Sequence, residues 1–140
     1  MPQFRQNFIT KEWVIVAPER AKRPDQFARQ ESEHANLPAH DPACPFCTGN
    51  ESQTPPPSLV IDRGNGWQLR VVPNKFAAVN PELSPERKND GLFLSAAGFG
   101  VAEVIVEHPA HNAHLALMTT AEVRNVVEAY QNRYAALAAE

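Results

Sequence analysis

The 140-residue chain predicts an α+β fold: antiparallel strands, long ordered loops and one substantial C-terminal helix. Three observations carry that prediction. Short β-branched runs recur between proline- and glycine-bearing stretches. Thirteen prolines are about twice the usual frequency of roughly 5%. A single segment, close to the end, has helical periodicity.

Glu12-Trp-Val-Ile-Val-Ala17 reads as the first strand, rich in β-branched and aromatic residues and ended by Pro18. A basic turn, Glu19-Arg-Ala-Lys-Arg-Pro24, follows. Residues 25–66 are polar and proline-rich and read as loop. Trp67-Gln-Leu-Arg-Val-Val72 is the second strand, stopped by Pro73-Asn74. Pro81–Asp90 is charged and reads as a loop. Ala102-Glu-Val-Ile-Val-Glu107 is the third strand, and its incomplete alternation suggests cover on both faces. The helix is expected over about 120–138. Val123, Val126, Val127, Tyr130, Tyr134 and Leu137 recur at three- and four-residue spacing, and Thr119 with Glu122 forms a capping-box pattern.

A net charge of -3 argues against a general nucleic-acid binder. No window approaches the ~18 apolar residues of a membrane span, and the amino terminus does not read as a signal peptide. A cytoplasmic location is the default expectation. There the two cysteines stay reduced, so metal binding or redox chemistry outranks a structural disulfide.

Cys44-Pro-Phe-Cys47 is the first chemical candidate. Two thiolates at this spacing can chelate one tetrahedral metal, with His108, His111 or His114 as possible partners. The rival is a glutaredoxin-like redox pair, which needs its first thiolate at a helix amino terminus. The flank after Cys47 runs into Pro55-Pro-Pro57, which cannot continue a helix, so the metal reading is preferred. Arg20, Lys22 and Arg23 could clamp phosphate oxygens, although such clusters are more often solvated surface. Asn74-Lys75-Phe76 follows a strand end, where an amide could read a base or sugar edge and a ring could stack. As a lone tripeptide it is weak evidence.

Taken in order, Trp13–Pro24, Cys44–Cys47, Leu69–Phe76 and Glu103–His111 resemble the amino-terminal half of the galactose-1-phosphate uridylyltransferase family, including the related ADP-glucose phosphorylase type. The resemblance implies a histidine-triad-like antiparallel sheet and transfer of a nucleoside monophosphate through a nucleotidyl-histidine, in galactose and nucleotide-sugar metabolism. It implies zinc held by Cys44, Cys47 and His111, and nucleotide contacts from Arg20, Arg23, Asn74, Lys75 and Phe76. The implied small molecules are a nucleotide sugar (UDP- or ADP-hexose) and a hexose 1-phosphate, with neither nucleic acid nor membrane as partner.

The family's nucleophile lies in a downstream His-x-His segment, which these 140 residues do not contain. The expectation is therefore one amino-terminal domain over 1–140, without a catalytic residue. A homo-oligomer or a missing carboxy-terminal half would complete the site, and the chain alone would be inactive. The alternative expectation is a non-catalytic, zinc-stabilised interaction domain.

Overall fold

The computed structural model describes residues 1–18, 20 and 37–139. Seven strands and one α-helix are assigned among them: β1 (Gln3–Gln6), β2 (Trp13–Val16), β3 (Leu59–Asp62), β4 (Trp67–Pro73), β5 (Arg87–Asp90), β6 (Phe93–Ala97), β7 (Glu103–Val106) and α1 (Thr120–Ala138). They belong to two compact units, Met1–Asp25 with Phe76–Ala102 and Gln26–Lys75 with Glu103–Glu140.

The first unit is a four-stranded antiparallel sheet of order β2-β1-β6-β5. β1 and β2 form a hairpin whose turn is closed by the Asn7 N–H donating to the Glu12 carbonyl at 2.8 Å. Gly98 lies against the start of the chain. A Cβ there would meet the Pro2 carbonyl carbon and Cβ at 2.9 Å, so only glycine lets the backbones approach this closely.

The second unit is a three-stranded antiparallel sheet, order β3-β4-β7, with α1 on one face. β4 is central and its inner four residues, Leu69 to Val72, are at most 2% exposed. Alternation and register divide its side chains. Leu69 and Val71, with Ile61, pack on Val126 and Ala129 of the helix, and Leu59, Ile105 and Met118 border that core. Arg70 and Val72 therefore point to the other face. β7 divides likewise. Glu103 receives two hydrogen bonds from Arg133, at 2.8 and 3.0 Å, and Glu107 accepts the Tyr130 hydroxyl at 2.5 Å, so the odd-numbered positions face the helix.

The helix has the anticipated bounds, and both halves of the Thr119–Glu122 capping box are formed. Its buried face matches the anticipated stripe only in part: Val126 is buried and Val123 and Leu137 are half-buried. Asn125, Val126 and Ala129 are buried, whereas Val127, Tyr130 and Tyr134 are 48%, 48% and 79% exposed. Tyr130 lies at the border of the contact, where its hydroxyl donates to Glu107. Asn125 is tolerated inside because its oxygen accepts from Arg63 at 3.1 Å and its amide donates to Gln68 at 3.0 Å.

Four strands lie in or beside stretches read as loop or left unassigned. β1 is a polar Gln-Phe-Arg-Gln run, β5 is the exposed Arg-Lys-Asn-Asp, β6 is Phe-Leu-Ser-Ala-Ala, and β3 lies inside the proline-rich region. β1 and β5 are held by pairing to their neighbours and not by their own propensity, whereas β3, Leu-Val-Ile-Asp, has an apolar, β-branched run inside a polar, proline-rich setting.

Candidate metal centre

A series of tight turns builds the cysteine knuckle. Cys44 N–H donates to the Asp41 carbonyl, Cys47 N–H to that of Cys44, and Asn50 N–H to that of Cys47, at 3.1–3.2 Å. The Asn50 side-chain amide braces the inside of this series, donating to the Cys44 carbonyl at 2.8 Å and the Pro42 carbonyl at 3.1 Å. The Asp41 N–H points at the Cys47 sulfur, 3.4 Å away. An N–H aimed at sulfur supports a thiolate, the form that binds a metal.

His111 reaches the same point from the loop after β7. Its backbone N–H donates to the Ala39 carbonyl at 2.8 Å, tying that loop to the knuckle, and its Nδ1 lies 3.5 Å from the Cys47 sulfur. The ligand atoms of Cys44, Cys47 and His111 all lie within 4.8 Å of one another, the one such group of three among the described residues. A tetrahedral zinc ion, with bonds of about 2.3 Å to sulfur and 2.0–2.1 Å to nitrogen, sets a sulfur–nitrogen edge of about 3.6 Å. The residues present fit such an ion by donor type and by spacing. Burial is the largest influence on the Cys47 thiol and raises it above its ordinary 9.0. The Asp41 N–H opposes this rise, and the neighbouring Cys44 sulfur adds to it.

The choice of His111 over its neighbours has a structural reason. His108 Nδ1 accepts the Ala110 N–H at 2.9 Å, and its other ring nitrogen lies 3.2 Å from Glu122, the capping residue of α1. Both nitrogens are engaged, and the ring braces the loop against the helix start. His114 is exposed and begins a 3₁₀ turn at Leu115–Leu117. His40 Nε2 is 3.0 Å from the Thr48 carbonyl, and His40 is not part of the cluster. A cleft of ≈ 290 Å³ adjoins the cluster, walled by Phe46, Val106, Pro109 and Met118 among others.

The remaining candidates lie on separate segments of the chain. Arg20 is exposed, in a 3₁₀ turn just past β2. Lys22 and Arg23 lie outside the described residues. Asn74 and Lys75 follow β4 directly, the first half-buried and the second exposed, and Phe76 is 37% exposed. The residue that sequence reasoning missed is Arg70. The available signal was a single charged residue inside the apolar Trp67–Val72 strand, where a cation that becomes buried must find partners.

A Cys2His cluster able to hold a metal ion, on an antiparallel α+β scaffold, is the class defined by this fold and site. The whole chain, residues 1–140, matches the family described as galactose-1-phosphate uridyl transferase, N-terminal domain, and belongs to it. It is 32% identical over 135 residues to the ADP-glucose phosphorylase of Arabidopsis thaliana, covering 94% of this chain and 38% of that protein. It is 32% identical over 140 residues to the galactose-1-phosphate uridylyltransferase of Haemophilus influenzae, covering 99% and 39%. The crystal structure of the Arabidopsis thaliana ADP-glucose phosphorylase with bound ADP-glucose superimposes with a TM-score of 0.58 at 27% identity, over 100% of this chain and 39% of that one. The chain thus spans about two fifths of the length of these relatives.

Proposed function

We propose that this chain is the metal- and nucleotide-binding part of a nucleotidyltransferase that exchanges a nucleoside monophosphate between a nucleotide sugar and a hexose 1-phosphate. The convergence of Cys44, Cys47 and His111 carries the reading, together with family membership. The metal in this reading is zinc, which suits two thiolates and an imidazole and has no redox chemistry of its own. Its contribution would be to fix the knuckle and the loop after β7.

Arg20 and Arg23 would hold the nucleotide phosphates, with Asn74, Lys75 and Phe76 at the base and ribose. In the transfer itself a histidine nitrogen bonds to the α-phosphorus as the sugar phosphate departs, and a second sugar phosphate then takes the nucleotide. His111 is excluded from that role, because a metal-bound imidazole nitrogen has no lone pair left for phosphorus. We assign the nucleophile to none of His34, His40, His108 and His114 either, so the 140 residues alone should bind without transferring. The reaction would place the protein in galactose and carbohydrate metabolism, in the cytoplasm. No helix among the described residues is long and apolar enough to cross a membrane.

The test combines metal analysis with calorimetry. Protein purified without added metal should carry about one zinc per chain, and it should bind UDP-glucose or ADP-glucose. Arg20→Ala should weaken that binding about tenfold or more, as expected for one charge-assisted contact. Equal affinity of variant and wild type would return Arg20 to the solvated surface. Absence of zinc after refolding with the metal would overturn the site.

A further inference from the structure

A buried cation stands directly behind the cysteine knuckle. Arg70, in the middle of β4, is 2% exposed. One guanidinium nitrogen donates to the Pro45 carbonyl at 2.9 Å, and another to the Thr54 hydroxyl at 2.8 Å. Pro45 lies between the two cysteines, so the first contact grips the turn that presents both sulfurs. The guanidinium also stacks on the Trp67 ring, 5.1 Å from its centroid. Trp67 donates its indole N–H to Glu51 at 2.7 Å, and the Glu51 carboxylate accepts the Gly49 N–H at 2.9 Å, two residues past Cys47. β4 thus grips the knuckle on both sides, through Arg70 inside the turn and through Trp67 and Glu51 after it.

This is not the arrangement that stability alone would select. No carboxylate of the described residues lies within ion-pair distance of Arg70, although Glu51 is near enough to feel its charge, and Nε is buried without a hydrogen-bond partner. A cation out of water without a paired anion is costly, and an apolar side chain of similar size often serves a core as well or better. What the guanidinium provides is direction: a planar fork joining a carbonyl of the turn to the hydroxyl that follows the 3₁₀ turn at Glu51–Gln53.

We propose that Arg70 is a positioning residue for the metal site, presetting the Cys44–Cys47 turn so that both sulfurs face His111 before the ion arrives. The inference rests on the metal reading above. Substitution should therefore lower metal affinity without abolishing it, because the three ligands remain. Outer partners of metal sites commonly account for about 10–100-fold in affinity.

The experiment measures zinc affinity of the 140-residue protein by competition with a chromophoric chelator. Cobalt(II) spectra report the tetrahedral thiolate site, and melting in excess chelator reports the metal-free fold. Wild type should bind tightly with a sulfur-to-cobalt charge-transfer band, and Cys44→Ser should bind more weakly with a band of much lower intensity, from Cys47 alone. Arg70→Met should bind zinc about 10–100-fold more weakly. Arg70→Lys should recover only part of the loss, since a single ammonium does not reproduce the fork. A merely structural role would lower the metal-free melting temperature and leave the affinity of the folded protein unchanged; that result overturns the proposal. Should Arg70→Met fail to fold, Thr54→Val decides: it removes one anchor and keeps the charge. It should weaken zinc about two- to fivefold, and unchanged affinity overturns the proposal. A wild type that takes neither zinc nor cobalt would sink the metal reading itself. A wild type that binds while all Arg70 and Thr54 variants bind equally well would sink only the role of Arg70.

Discussion

Replacing Glu103 by glutamine isolates one electrostatic contact that seats the helix on the sheet. The Glu103 side chain is 8% exposed and that of Arg133 18%. Two parallel hydrogen bonds join them, at 2.8 and 3.0 Å. Glutamine keeps the shape, makes one bond neutral and opposes N–H to N–H at the other. A charge-assisted bond contributes roughly 1.5–3 kcal/mol against about 0.5–1.5 for a neutral one. Breaking a fully buried pair costs about 3–5 kcal/mol. Water reaches Arg133, so a loss of about 2–3 kcal/mol is expected, or about 1 M in urea midpoint at a slope near 2 kcal/mol per M. Burial alone would raise the Glu103 carboxyl, but hydrogen bonds from Arg133 and Ser58, and the charge of Arg133, outweigh it and hold the group below its ordinary 4.5. A depressed carboxyl stabilises above its unfolded value, and that contribution is lost as pH falls through the folded value. Urea titrations of both proteins, in chelator, should therefore show the full gap at neutral pH and a closing gap below 4.5. A gap under about 0.5 kcal/mol at pH 7, within the ordinary range for surface substitutions, would refute the reasoning. So would a gap that does not narrow as the pH is lowered from neutral through and below 4.5.

Three further outcomes are expected. Leu69→Ala, at a fully buried site between sheet and helix, should cost about 3–5 kcal/mol in chemical denaturation; a loss below 1.5 would mean that this core is loosely packed. Thr119→Ala removes the hydroxyl that accepts the Glu122 N–H and contacts the Glu122 carboxylate. It should cost about 0.5–2 kcal/mol and accelerate amide exchange in the first helical turn; unchanged exchange there would count against the capping box. Gly98→Ala must displace Pro2, whose atoms lie 2.9 Å from the new Cβ. Amide exchange should quicken along β1 and β6 while α1 keeps its protection, and uniform protection would refute the close approach.

The helix shows how far local chemistry reaches. Its start, its capping box and its extent follow from Thr119, Glu122 and the apolar spacing, because helix hydrogen bonds and caps lie within a few residues of one another. The face that it buries follows only in part. Val126 of the apolar stripe makes the contact, but Asn125 and Ala129 join it while Val127, Tyr130 and Tyr134 stay exposed, since the partner surface is a sheet assembled from distant strands. The apolar strands β2, β4 and β7 were legible from composition. The polar strands β1 and β5 were not, because their stability comes from hydrogen bonds to β6.

The same division holds at the candidate metal site. The chelate spacing of Cys44 and Cys47 is a local property legible in the sequence, and the order of four motifs, which resembles the family, singled out His111 from three histidines after β7; the structure brings the ligand atoms of all three residues within 4.8 Å of one another. Only the tertiary structure decided why His111 is available and His108 is not: His108 is held by Ala110 and Glu122, the latter from an element that folds onto the loop. Only the tertiary structure placed Arg70 behind Pro45, a contact between residues 25 positions apart. Such contacts depend on which face of a strand turns toward which loop, and that is fixed when the sheet pairs and one face is covered by the helix.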